Sequence, residues 1–583
     1  MLRLTPPGSS GLARVPKACV PCARAKVKCE IEAEDGICQR CRRLKKQCSM
    51  QMPGAHRRKR PKPYASDVAR LEQKLDNVAA ILSASERARQ NNNPGSQTTI
   101  ASPTAGQYGL SPTEIIRQFI PSDREAEMML DHFRVNMMPH FPFVIIPAEV
   151  SLNDLRREKP FLFTTVMMVG CRHDASRQVA MANKIREIIS YSVLVKGEQS
   201  LDMLQGLLIY LAWYHFHLRL GSQLTNLFHL IMAMMTDLCL NNAAHPKSPS
   251  KLALGLAKYF EKDGQPHTTR TLEERRAYLG VFYLTSIVSL YARNIASLRY
   301  TKYTEECCQL VAEAAEYPTD TLLIQLMRAH RLADKIKLSL SLDELEVQLG
   351  VSAPIGAYVR SLESELVQLK HTFPQDIPGF TDLLMNYYAL ETFLYSVALN
   401  ERMSAVRYGN FPMARLEILL SCLESTKACF DTFHSFSPSS YFHLPYPLWS
   451  QLGHAIIVLS KLSLFNGEGW DQEYVRSQMD FFEVLSTFDQ KLEEAREYSR
   501  STSQASISEL SMDIPEIFVK LTPNLQQMKE CHKARLQAQT STTEQTQGPS
   551  HGDSGSASSD DLVVPDTAGL FEFLDDSFWR QFT

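Results

Sequence analysis

The 583-residue chain has no apolar run of the length a membrane span needs, roughly 18–20 residues. The stretch "LLIYLAWYHFHLRL" (207–220) is broken by His215, His217 and Arg219. The opening "MLRLTPPGSSGLARVP" lacks the apolar middle of a secretory signal. A reducing compartment is therefore expected, where structural disulfides are rare. No Gly-rich phosphate loop, G-x-S-x-G or H-E-x-x-H occurs, so the usual sequence marks of nucleotide binding, serine hydrolysis and zinc peptidase chemistry are missing. β-alternation and hairpin dipeptides are scarce, and an all-α fold is expected.

The net charge of −2 hides an uneven distribution. Residues 1–64 hold 16 Lys and Arg against 4 acidic residues, a surplus of +12, so the remainder carries −14. A basic head on an acidic body suits a head that meets a polyanion. The 13 cysteines are just as unevenly placed: six lie within residues 19–48. Their spacing is C-x2-C-x6-C-x8-C-x2-C-x6-C, and the triplet Cys38, Cys41, Cys48 repeats the triplet Cys19, Cys22, Cys29 after 19 residues. The unit, a knuckle followed by a basic helical turn, is duplicated. Zinc takes four ligands in a closed structural site, so six thiolates fill two sites only if two of them bridge. With Cys19 and Cys38 shared, one zinc takes Cys19, Cys22, Cys29 and Cys38, and the other takes Cys19, Cys38, Cys41 and Cys48. Some thirty residues cannot bury a core, so metal binding would have to drive folding. Six disulfide-forming cysteines would allow 15 pairings and give no reason for the repeat.

Residues 17–48, "KACVPCARAKVKCEIEAEDGICQRCRRLKKQC", resemble a fungal Zn2Cys6 binuclear cluster DNA-binding domain. The resemblance continues through a basic linker, a short coiled coil and a large helical middle homology region. "SLDMLQGLLIYLAWYH" and "MAMMTDLCLNN" are similar to the helical core of that region, and the weak-acid-resistance subgroup is the nearest in kind. The resemblance implies two Zn²⁺ per chain and sequence-specific control of RNA polymerase II genes in the nucleus. It implies that Lys26 reads bases at the end of the first short helix, where a lysine donates to guanine O6 and N7 and helix-end carbonyls accept from cytosine, giving CGG-type half-sites. Lys17, Arg24, Lys28, Arg42, Arg43, Lys45 and Lys46 would then contact phosphate. Two positions depart from the family pattern: Ala23 stands where a basic residue is customary, and the loop at 30–37 has Asp35-Gly36 in place of a proline.

Around this module the chain divides into further expected segments. Residues 1–16 are expected to be disordered, 17–50 to form the cluster domain, and 51–65 to form a basic, proline-punctuated linker. Arg57, Arg58, Lys59, Arg60 and Lys62 in the linker suit nuclear import, phosphate tracking or both. Residues 66–90 place Val68, Leu71, Leu75, Val78 and Leu82 on an a/d seam, a coiled coil that would join two copies, or else one amphipathic helix docked on the body. Residues 91–112 read as a disordered linker and 113–533 as a helical regulatory region, with loops near 246–270 and 499–512. One long helix is expected over "SLDMLQGLLIYLAWYHFHLRL".

Within the body, Cys171 with His173, Cys307 with Cys308, and Cys531 with His532 are expected to be ordinary core or polar residues and not catalytic pairs. His215, His217 and His229 are expected in the core or lining a pocket. Residues 534–559 read as a disordered linker. In 560–583, Leu570, Leu574, Phe578 and Phe582 recur every four residues, with Phe571, Phe573 and Trp579 beside them and acidic residues between. Such a segment can fold into a coactivator groove, or dock on its own body as a terminal helix. The expected function is a homodimeric zinc-dependent activator. Alternatives are a repressor or ligand-gated regulator of secondary-metabolite or stress and drug-resistance genes, with a small-molecule effector in the helical region, and, more remotely, an enzyme body tethered to DNA.

Overall fold

The computed structural model describes residues 19, 22, 29, 37–44, 47–49, 117–120, 122–171, 174–220, 223–242, 270–291, 297–340, 355–399, 412–505 and 516–545. The chain divides into two units, Met1–Pro103 and Thr104–Thr583. In the first, helix α1 (Gln39–Arg43) follows Cys38, and four cysteines form a small buried cluster. The basic linker, the coiled-coil seam and the acidic-aromatic tail lie outside the described residues.

The second unit is helical, and no strand occurs among the described residues. Its first half runs through α2 (Asp123–His132), α3 (Leu152–Glu158), α4 (Pro160–Gly170), α5 (Ala175–Ile189), α6 (Leu201–Ala212) and α7 (Leu224–Asp237). The second half holds α8 (Leu272–Tyr291), α9 (Lys302–Ala314), α10 (Asp320–Leu340), α11 (Ile355–His371), α12 (Phe380–Tyr395), α13 (Pro412–His434), α14 (Tyr446–Leu464), α15 (Gln472–Gln478), α16 (Phe481–Ala505) and α17 (Glu516–Gln545). One continuous hydrophobic core runs through both halves.

Helix α8 joins them, touching α6 and α7 of the first half and α9, α10 and α14 of the second. Its residues from Arg276 to Tyr291 are all buried, the pattern of a helix apolar on every face. A reciprocal cap starts it: Thr271 Oγ1 accepts from the Glu274 amide at 3.1 Å, and Glu274 Oε2 accepts from the Thr271 amide at 2.9 Å. Arg276 can be buried because Asp320 meets it with two hydrogen bonds of 2.9 Å, and Glu316 adds a third at 2.8 Å. Close approach of α6 to α4 needs Gly206, since a Cβ there would lie 2.3 Å from the Phe161 ring.

Three expected boundaries differ. The long helix over residues 201–220 stops at Ala212; a tighter 3₁₀ segment follows at Tyr214–Leu220, kinked at His217 (φ −131°, ψ 24°). At this break Trp213 Nε1 donates to the distant His443 carbonyl at 2.9 Å. Residues 499–505, expected as loop, continue α16, which has neither Gly nor Pro along its length. Helix α17 runs past 533 to Gln545, and Gln539 Nε2 donates to the Leu464 carbonyl at 2.9 Å.

Candidate metal centre and nucleic-acid interface

The site is built from two chemically matched halves. The amide of Cys19 donates to Cys29 Sγ at 3.4 Å, and the amide of Cys38 donates to Cys48 Sγ at 3.5 Å. Each knuckle also folds its second amide back on its first sulfur: Cys41 N donates to Cys38 Sγ at 3.3 Å, and Cys22 N serves Cys19 likewise. The Cys38 sulfur thereby N-caps α1. The 19-residue repeat in sequence is thus a repeat in hydrogen bonding.

The sulfurs of Cys19, Cys22, Cys38 and Cys41 are buried and lie within 4.8 Å of one another. Cys19 and Cys38 are 3.7 Å apart, Cys19 and Cys41 3.8 Å, and Cys22 and Cys38 3.6 Å. Among the described residues no cysteine is in a disulfide. A disulfide would hold sulfurs at about 2.05 Å. Tetrahedral zinc with bonds of about 2.3 Å holds them roughly 3.8 Å apart. The donor set fits a metal ion and could hold one.

Amide donors, burial and the neighbouring sulfurs together set which sulfurs ionise most readily. The Cys41 amide, opposed by burial, brings Cys38 down to about 6, and the Cys22 amide lowers Cys19. Burial raises Cys22 and Cys41. In Cys29 and Cys48 a donated amide is outweighed by burial and the adjacent sulfurs, and Cys29 rises to about 12. The two readily ionised thiols are the pair at the centre, and a bound cation would be needed to ionise all six together.

Of the expected DNA contacts, Arg42 and Arg43 are exposed on α1. Lys17, Arg24, Lys26, Lys28, Lys45 and Lys46 lie outside the described residues, as do Arg57, Arg58, Lys59, Arg60, Lys62, Val68, Leu71, Leu75, Val78, Leu82, Leu570, Phe571, Phe573, Leu574, Phe578, Trp579 and Phe582. Arg40 was not singled out from the sequence. Its Nη1 lies 4.0 Å from Cys22 Sγ, in the other half of the module.

The body offers no catalytic pair at the positions considered. Cys171 caps the end of α4, and burial pushes its thiol up to about 12. His173 lies outside the described residues. Cys307 and Cys308 are buried with raised thiols, and His532 is held by Ser460 and Ser463 at 3.0 and 3.4 Å. His215 and His217 are buried as expected, with all four ring nitrogens lacking partners, and burial lowers His215 to about 3. His229 is exposed, not in the core, and its Nδ1 lies 2.8 Å from the Thr225 carbonyl. Its position on the outer face of α7 is the reason.

Residues 108–454 match the family model described as the WAR1 C-terminal domain, which is more than half of the chain. The chain belongs to this family of fungal transcription factors. A second model, described as a C-terminal domain, matches residues 438–582. The transcription factor opdL of Penicillium oxalicum is 30% identical over 484 residues, spanning 81% of this chain and 82% of that protein. The transcription factor himD of Aspergillus japonicus is 29% identical, spanning 77% and 73%. The transcriptional regulator WAR1 of Candida albicans is 23% identical, spanning 60% of this chain and 36% of that protein. The WAR1-family chain is accordingly a transcriptional regulator and not an enzyme. No helix among its described residues is long and apolar enough to cross a membrane.

Proposed function

We propose that the protein is a nuclear, zinc-dependent transcription factor that binds CGG-type half-sites as a homodimer and activates transcription through residues 560–583. The observation that carries this reading is the doubled cysteine geometry. The cross contacts, Cys22 to Cys38 and Cys19 to Cys41, join sulfurs that share a zinc when Cys19 and Cys38 bridge. Two Zn²⁺ bound there would offset most of the thiolate charge and supply the folding free energy that so short a segment lacks. The chain's own part is to arrange the sulfurs: four amides hold them, and α1 starts from one of them.

The basic residues of 1–64 supply the attraction to DNA, and Lys26 supplies base discrimination. The seam at 66–90 joins two readers, so the site is a pair of half-sites. Metal analysis and DNA binding on the full chain test the proposal. Two zincs per chain are expected, and their removal by a chelator should abolish specific binding. One zinc per chain would rule out the shared sulfurs. Lys26→Ala should erase the preference for CGG over scrambled sites by about tenfold or more, while the salt dependence of binding largely persists.

A further inference from the structure

The geometry points to Arg40 as a positioning residue for the cluster, its guanidinium reaching from the second half to hold the Cys22 thiolate of the first. This rests on the two-zinc reading. With Cys19 and Cys38 shared, Cys22 is a terminal ligand of one zinc only. Its sulfur is buried, and Arg40 Nη1 approaches it to 4.0 Å. Arginine keeps its charge at all working pH, and its planar N–H fork can fix the direction of a sulfur ligand through a charge-assisted contact.

The arm that carries Arg40 is itself fixed by the cluster. Helix α1 begins at Cys38, whose sulfur accepts the Cys41 amide, so the guanidinium is anchored to a shared ligand. Arg42 and Arg43, on the same helix, are exposed, whereas Arg40 is half-buried. The contact also breaks the symmetry of the repeat. The position equivalent to Arg40 in the first half, 19 residues earlier, is Pro21, which has no side-chain donor. The repeat therefore provides Cys22 with a cation that it does not provide to Cys41. The four-sulfur set that contains Cys22 would have an arginine behind it, and the set that contains Cys41 would lack this particular support.

The test uses the zinc-loaded full chain as wild type, Arg40→Gln and Arg40→Lys. Zinc release to a chromogenic chelator is followed in time, and mass mapping reads which cysteine N-ethylmaleimide modifies first. In Arg40→Gln, release of one zinc should accelerate by about tenfold or more, the other should keep its rate, and Cys22 should be modified ahead of Cys41. Arg40→Lys should restore most of the slow release because it keeps the charge. Unchanged release, with weaker DNA binding and a shallower salt slope, would make Arg40 a phosphate contact and overturn the inference. So would equal acceleration of both zincs. A wild-type chain with one zinc would instead defeat the two-zinc reading, so the two failures are told apart by the starting stoichiometry.

Discussion

Asp202 belongs to the first turn of α6 yet caps its neighbour. Its two carboxylate oxygens accept the amides of Phe161 at 3.0 Å and Leu162 at 2.8 Å, at the start of α4. Lys159, the residue before α4, makes no side-chain cap there, so a carboxylate from another helix takes that place. Asp202→Ala should destabilise the chain by about 1–2 kcal/mol in denaturant unfolding, the usual range for a lost cap. His215 is the opposite case. Its ring packs against Phe518 and Trp449, and neither nitrogen has a partner. Removing an unpaired buried polar group can be neutral or stabilising. His215→Phe should therefore keep or raise the melting temperature. A fall of several degrees would show that the ring nitrogens bond in solution.

At the scale of elements, close helix contacts decide the sign of small substitutions. Gly206→Ala would gain about 1 kcal/mol of helix propensity. The added methyl meets the buried Phe161 ring at 2.3 and 2.7 Å, and overpacking costs about 1–3 kcal/mol. Net destabilisation is expected in thermal melts. A titratable tie links the turn after α2 to α12: His140 Nδ1 and Asp382 Oδ2 are 2.7 Å apart. Burial lowers His140, but the Asp382 carboxylate outweighs it, so the net shift is upward. The stabilisation is then complete below the unfolded histidine value of about 6.5 and fades as pH rises through the higher folded value. His140→Gln should flatten that fall in stability as pH rises above the unfolded histidine value; an unchanged pH profile would dismiss the tie.

The same scale shows what the sequence could reveal. The cysteine repeat was legible because ligand spacing lies along one dimension. Arg40 was not, since its contact crosses between repeats and sits among many basic residues. The break after Ala212 was hidden for a similar reason: "AWYHFHLRL" has no Gly or Pro, and the Trp213 contact comes from His443, far along the chain. The extension of α17 beyond 533 carries a contact to Leu464, likewise distant. Helical class and burial of the apolar stripes needed only local periodicity, and they were readable.

For the whole molecule, two separate hydrophobic clusters imply two sources of stability. The large core runs through the body, whereas among the described residues the N-terminal cluster consists of cysteines alone. Stripping zinc should therefore abolish specific DNA binding and leave the far-ultraviolet helical signal nearly unchanged. A large loss of helix would show that the body depends on the metal. Deleting 560–583 should lower reporter output while DNA affinity stays the same, and undiminished output would remove the activating role from that segment.

The mirrored hydrogen bonds of the two cysteine triplets bear on descent. With the sulfurs shared as proposed, half of the module has three ligands where zinc requires four. A single triplet could not have been an independent working reader to which a second was later appended. Two copies of one short peptide, paired across chains, would meet the requirement. A symmetrical peptide dimer, later fused head to tail, is the simplest predecessor this geometry allows, and the Pro21–Arg40 mismatch is one of several positions at which the two copies now differ.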